Sequence, residues 1–339
     1  MGVRALPLEP ENASRKLRRV FVVGGAGFIG SHLVERLLID PELETVTVYD
    51  NFSSGREWHL HPHRDDVRLK VLRGDVHNLT YLQSAMAEHD VVIHLASNPD
   101  IARAMKEPTI DFDEGTVLTQ CVLEAMRLSR VRRILYASGS GVYGDIGSLE
   151  ADENYGPLLP ISTYGASKLA GEALISSYCH MFEFTGCVFR LGNVVGPHQT
   201  HGIGLDFVRK LLENPHELNI LGDGQQSKAY VHVSDVTAAV LLAHYQAPDP
   251  FATFNVATGD YISVQEIAEL VAEVVGCEPG TTKFLYSGGR RGWKGDVPIV
   301  RINTDGIRAL GWQNKMSSRE AIRASVASIL DDCLSGRIS

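Results

Sequence analysis

Short runs of consecutive apolar residues, each followed by a stretch with helical spacing, recur over the first two thirds of the chain. Arg19-Val20-Phe21-Val22-Val23 is β-branched or aromatic after its first residue. A run of this length without polar alternation fits a strand covered on both faces, as in a parallel sheet. Leu33, Leu37 and Leu38 then fall at helical spacing and predict a helix over 31–38. The same reading predicts strands at 45–50, 67–72, 91–95, 133–137 and 186–191, and helices at 79–88, 116–128 and 164–181. Strand–helix units repeated at this spacing predict an α/β fold with a doubly wound parallel sheet.

Beyond Gly192 the pattern changes. Gly and Pro become frequent, as in Gly196-Pro197-His198 and Leu221-Gly222-Asp223-Gly224. Shorter elements follow: strands at 229–233 and 254–256, helices at 235–246 and 264–275. The expectation is a main domain over 17–192 and a smaller C-terminal α/β substrate domain over 193–335, with elements near 228–258 returning to the main sheet. Residues 1–16 read as a loose leader without the apolar core of a signal peptide.

Composition narrows the function. The 339 residues carry a net charge of -9, which disfavours nucleic acid as a partner, because phosphate backbones need clustered Lys and Arg. No apolar run reaches the roughly 20 residues that span a bilayer, so no membrane partner is expected. Five scattered cysteines without a CxxC pair argue against a disulfide scaffold and for a cytoplasmic protein. The histidines, His198 and His201 among them, lack ligand spacing beside carboxylates, so they read as polar loop residues and no metal is expected.

The first predicted strand ends in Gly24-Gly25-Ala26-Gly27-Phe28-Ile29-Gly30, which opens the first predicted helix. Glycines at 24, 27 and 30 permit a tight turn and close approach of the backbone to a pyrophosphate. The helix start offers it unpaired N–H groups and a positive dipole. Asp50 ends the second strand, where a carboxylate accepts hydrogen bonds from ribose hydroxyls and repels a 2′-phosphate. Strand, glycine turn, helix and acidic residue together predict a Rossmann-type domain that binds NAD. Further on, Tyr164-Gly165-Ala166-Ser167-Lys168 places Tyr and Lys one helical turn apart. A lysine ammonium there favours the phenolate, and the expected effect is a lowered tyrosine pKa and a general base.

The ordered motifs Gly24–Gly30, Tyr49-Asp50-Asn51, Gly74-Asp75-Val76, His94-Leu95-Ala96-Ser97, Val142-Tyr143-Gly144, Tyr164-x-x-x-Lys168 and Arg190-Leu191-Gly192-Asn193-Val194-Val195-Gly196-Pro197 resemble one family. Gly222-Asp223-Gly224, Tyr230-Val231-His232-Val233, Arg291-Gly292-Trp293 and Leu310-Gly311-Trp312 extend the resemblance to about Trp312. The family is the extended short-chain dehydrogenases/reductases, which act on nucleotide sugars, with UDP-glucose 4-epimerase-like chains the nearest in appearance. The resemblance implies NAD as cofactor and a UDP-, dTDP-, GDP- or CDP-hexose as substrate. It assigns Phe28, Ile29, Asn51, Asp75, Val76, Leu95, Ala96 and Lys168 to the cofactor. It makes Tyr164 and Lys168 catalytic, and gives Asn193, Lys228 and Arg291 to the substrate phosphates. It also implies a homodimer built on the helices at 116–128 and 164–181.

Some positions depart from the family. Four residues before Tyr143, where the family carries a Ser or Thr that bridges substrate and tyrosine, stands Gly139, so Ser138 and Ser140 become the candidate hydroxyls. The acidic pair that serves dehydratases after that position is replaced by Ser140-Gly141. Lys228 replaces an arginine, exchanging a bidentate clamp for a point charge. Glu114 stands near a family Asn and is expected to shape the sugar pocket. The reaction implied is epimerisation at C4 through a 4-ketone, with a 4-dehydrogenase, a dehydratase or decarboxylase, or a non-catalytic NAD-binding scaffold as alternatives.

Overall fold

The computed structural model describes residues 16–338, so the predicted leader lies almost wholly outside the described residues. The chain runs β1 (Arg19–Val23), α1 (Phe28–Leu38), β2 (Thr45–Asp50), β3 (Leu69–Arg73), α2 (Leu79–Met86), β4 (Val91–His94), α3 (Leu118–Ser129), β5 (Arg133–Gly139), β6 (Glu150–Ala151), α4 (Thr163–Phe182), β7 (Thr185–Leu191) and β8 (Asn193–Val195). It continues with α5 (Ile203–Glu213), β9 (Glu217–Ile220), β10 (Ser227–Lys228), β11 (Tyr230–His232), α6 (Val233–Gln246), β12 (Phe251–Val256), β13 (Ile262–Ser263), α7 (Val264–Val275), β14 (Lys283–Tyr286), β15 (Arg301–Ile302), α8 (Asp305–Ala309) and α9 (Ser318–Leu334).

The main sheet is parallel, in the order β12-β7-β5-β4-β1-β2-β3. Its central strands β1 and β4 are buried on both faces, whereas the edge strand β3 carries Lys70 and Arg73 and is largely exposed. Val20 and Val22 of β1 pack with α1 and α6, whereas Phe21 and Val23 pack with α2, α3 and α4. The strand order reverses between β1 and β4, and such a switch point leaves a crevice at the carboxyl ends of the strands.

Several boundaries differ from those expected. Helix α1 begins at Phe28 rather than at 31, because the glycine turn closes directly into it. The helix expected from 116 is preceded by a π-helical turn, Phe112–Val117. From the C-terminal half, β12 joins the main sheet beside β7, and α6 packs on its face, while β11 pairs with β8 outside that sheet. Helices α5, α7 and α9 enclose a further cluster around Leu205, Val208, Leu270, Ile322 and Val326, and neither α5 nor α9 was anticipated from the sequence pattern. Among the described residues, no helix is long and apolar enough to cross a membrane.

Candidate active site

The turn after β1 needs its glycines. Gly24 has φ +81°, and a Cβ there would lie 2.8 Å from the Ala96 nitrogen. A Cβ on Gly30 would lie 2.3 Å from the Gly24 carbonyl oxygen. Gly27 caps α1 without a side chain, and the first turn, with Phe28 and Ile29, carries no acidic residue. The N–H groups of that turn are thus left for an anion from outside, which suits the pyrophosphate of a dinucleotide.

Asp50 is 8% exposed, and its carboxylate accepts the Ala26 N–H at 2.9 Å and the Phe52 N–H at 2.8 Å. Burial raises its pKa, and the two N–H bonds oppose that shift. Asp50 therefore braces the glycine turn. Asn51 accepts the Ser53 N–H at 2.9 Å. Asp75 accepts both the backbone N–H (2.9 Å) and Nδ1 (2.8 Å) of His77, while Val76 is buried beside it. Glu114 lies in the π-helical turn, and its charge raises the pKa values of His77 and Arg103. The N–H groups of Leu95 and Ala96 both bond the Val23 carbonyl, at 2.9 and 3.1 Å, which lays this segment over the turn. The fit of these residues to NAD is good.

Helix α4 starts with Ser162, whose Oγ accepts the Gly165 N–H, and carries Tyr164 and Lys168 in its first two turns. Lys168 is 3% exposed; its Nζ donates to the Ala137 carbonyl at 2.8 Å and stands 5.5 Å from the centre of the Tyr164 ring. Burial pushes the Lys168 pKa down to about 8, against the pull of Glu172 and Asp111. Tyr164 departs from expectation. Its pKa is pushed up to about 12, chiefly because the phenol is desolvated and also because Asp111 is near, while the Ser97 side chain opposes the shift. Lys168 sits at the expected place, but the phenol's pKa rises where a fall was expected.

Ser138 is withdrawn from the candidate hydroxyls. It is buried, and its Oγ donates to Glu172 Oε1 at 2.5 Å. Glu172 also pairs with Arg190 at 2.8 Å, both side chains being 6% exposed, so Ser138 belongs to a buried ion-pair network. Ser140, Asn193 and Lys228 line one pocket together with Val300 and Ile302. Lys228 Nζ is 2.6 Å from Asp296 Oδ1, a buried partner that sequence reasoning missed. Arg291 pairs with Asp145 at 2.7 Å, and its chain neighbour Gly292 donates its N–H to Asp296 at 3.1 Å. Ser97 and Asp111 were also missed, although Ser97 follows Leu95-Ala96 directly.

His198 is not the polar loop residue expected. Its ring stacks on His59 at 4.4 Å and 7°, and on His32 at 4.9 Å and 23°, with Trp58 edge-on to both His59 and His198. His59 Nδ1 bonds the Ala26 carbonyl at 2.8 Å and His198 Nδ1 bonds Ser31 Oγ at 2.9 Å, so the stack backs the glycine turn. Burial lowers both pKa values, to about 4 for His59 and about 3 for His198. Among the described residues no group of His, Cys, Asp or Glu is arranged to hold a metal ion.

A dinucleotide turn at the carboxyl end of β1, with a helix-borne Tyr/Lys pair whose lysine donates to the Ala137 carbonyl of β5, defines an enzyme of the dinucleotide-dependent class. The comparisons make this specific. The sequence model of the NAD dependent epimerase/dehydratase family matches residues 20–257, and the chain belongs to that family. A UDP-glucose 4-epimerase of Mycolicibacterium smegmatis is 33% identical over 316 residues, 91% of this chain and 97% of its own. The structure of Thermus thermophilus UDP-glucose 4-epimerase in complex with NAD superposes with a TM-score of 0.80 at 31% identity, over 92% of this chain and 98% of that one. A dTDP-glucose 4,6-dehydratase of Streptomyces venezuelae with NAD bound gives 0.86 at 25% identity, over 95% and 99%.

Proposed function

We propose that this protein is an NAD-dependent epimerase of a nucleotide-diphosphate sugar, inverting C4 through a transient 4-ketone. The observation that carries this reading is the buried Lys168 beside Tyr164, in a chain whose α1 starts without a side-chain cap. Its relatives named UDP-glucose 4-epimerases make a UDP-hexose the first substrate to try, ahead of dTDP-, GDP- and CDP-hexoses.

The roles divide as follows. Gly24, Gly27, Phe28, Ile29 and Gly30 hold the pyrophosphate, Asp50 and Asn51 the adenosine ribose, and Asp75 with Val76 the adenine. Leu95 and Ala96 flank the nicotinamide end, where Lys168 holds the second ribose. Bound NAD supplies the hydride acceptor and donor, and its oxidised ring is a cation. Tyr164 Oη takes the proton of the hydroxyl being oxidised and returns it to the ketone oxygen on reduction. Ser140 and Asn193 line the sugar side. Lys228 and Arg291 meet the diphosphate, which displaces the Asp296 and Asp145 carboxylates from them.

The division into an NAD-binding part (17–192, with returns near 228–258) and a substrate part (193–335) is part of this proposal. So are a homodimer through α3 and α4, and a cytoplasmic setting, in keeping with five scattered cysteines that form no CxxC pair. The experiment is incubation of the protein and NAD with a panel of nucleotide hexoses, following product mass and NADH absorbance. An epimer of unchanged mass without net NADH supports the proposal. Loss of two hydrogens with NADH accumulating replaces it with a 4-dehydrogenase, the second reading, which the missing side chain at Gly139 favours.

A further inference from the structure

The Ser97 side chain lies within hydrogen-bonding reach of the Tyr164 phenol. A buried carboxylate fixes this meeting. Asp111 is 1% exposed and uses both oxygens: Oδ1 accepts from Asn98 Nδ2 at 2.8 Å, and Oδ2 accepts from Thr163 Oγ1 at 2.6 Å. Asn98 is the chain neighbour of Ser97, and Thr163 is the chain neighbour of Tyr164. One carboxylate therefore ties the segment that carries the hydroxyl to the helical turn that carries the phenol. Asn98 is held further by Asp100, donating to its carbonyl at 2.9 Å and accepting its N–H at 3.1 Å. At the end of β5, by contrast, Ser138 is engaged with Glu172 and position 139 has no side chain.

We propose that Ser97 is the positioning residue of Tyr164, donating a hydrogen bond to its phenolate oxygen, and that Asp111 braces the pair through Asn98 and Thr163. The inference rests on Tyr164 being the acid/base group. A donor to the charged form favours that form. Asp111 works in the opposite sense, since its charge disfavours a nearby phenolate, and a donor at the phenol opposes that effect. When Tyr164 takes the substrate proton, the Ser97 hydroxyl rotates and accepts from it. No proton leaves the pair by way of Ser97.

The test uses the NAD-loaded protein and the variants Ser97→Ala, Ser97→Thr and Tyr164→Phe. The phenolate ultraviolet band of Tyr164 is the difference between a given Ser97 form and the same form carrying Tyr164→Phe. Its titration midpoint is expected to rise by about one pH unit in Ser97→Ala, a tenfold change in ionisation. Turnover below that midpoint is expected to fall about tenfold with KM unchanged and to recover at higher pH. Ser97→Thr keeps the hydroxyl and is expected to restore both. A Ser97→Ala midpoint equal to the parent's overturns the proposal. So does a Ser97→Thr protein as impaired as Ser97→Ala, which would mark a packing role. The titration needs no sugar, so a parent inactive on every nucleotide hexose would sink the functional reading and leave this result standing on its own.

Discussion

Acid should loosen this protein through the histidine stack before it titrates the carboxylates. Native His59 and His198 stay neutral down to about 4 and about 3, whereas an unfolded histidine protonates near 6.5. Between those values the unfolded chain binds more protons, so their contribution is intact above pH 6.5 and is lost as pH falls through it. The physical cause is plain at His59: Nδ1 donates to the Ala26 carbonyl, and Nε2 is buried without a hydrogen-bond partner among the described residues, so an added proton meets no acceptor there. Two cations at the stacking distance of 4.4 Å would also repel by about 4 kcal/mol at an effective dielectric of ~20. Arg56, Arg337 and His32 add positive charge. At pH 5 His59 alone removes about 2 kcal/mol, and with the partly exposed His198 the loss is about 3 kcal/mol, a large share of a typical folding free energy. The assay is urea unfolding at pH 7.5, 6 and 5 for the parent and for His198→Asn. Asn suits the left-handed backbone at this position, φ +66°, and its amide can still donate to Ser31. Other buried histidines, such as His94, add slope common to both proteins. The variant should lose at least 1 kcal/mol less than the parent between pH 7.5 and 5, by roughly the titration removed. Equal losses in the two proteins would refute the reasoning.

Tyr164→Phe should lower turnover by about 10²–10⁴-fold while NAD remains bound, read by product assay and by cofactor retention on gel filtration. Asp50→Ala strips the acceptor from the Ala26 and Phe52 N–H groups and should weaken NAD binding by about 1–3 kcal/mol, measured by calorimetry. Arg190→Met leaves Glu172 buried and unpaired and should cost about 3–5 kcal/mol of stability in denaturant unfolding. Lys228→Met should raise KM for the nucleotide sugar with little effect on NAD affinity, because Lys228 stands in the pocket of Ser140 and Asn193 and away from the glycine turn.

The main sheet was legible because two-sided burial writes itself into consecutive positions: Val20 and Val22 serve one face of β1, Phe21 and Val23 the other. Helix α9 escaped for the opposite reason. Its buried side includes Ser318, Ala321 and Ser325 beside Ile322, Val326 and Ile329, and small or polar residues dilute an apolar stripe. A start signal was present all the same, since Ser317 and Glu320 form a capping box. Helix α5, with Leu205, Phe207, Val208 and Leu211 buried, carries an apolar stripe that Gly196, Gly202 and Gly204 near its start interrupt as a signal.

The site divides along the same line. Groups whose chemistry is set within one turn of chain, such as the glycine loop and the Tyr164–Lys168 pair, were readable because helix and turn geometry convert spacing into position. Groups that meet across the fold were not. Ser31 finds His198 over 167 positions, Lys228 finds Asp296 over 68, and Asp111 finds Thr163 over 52. The Tyr164 pKa shows what this costs. Local spacing correctly supplied a cation beside the phenol. The direction of the shift, however, belongs to desolvation and to Asp111, a carboxylate from a distant segment. A motif can therefore name an acid/base pair, but its protonation behaviour is decided by residues the motif does not contain.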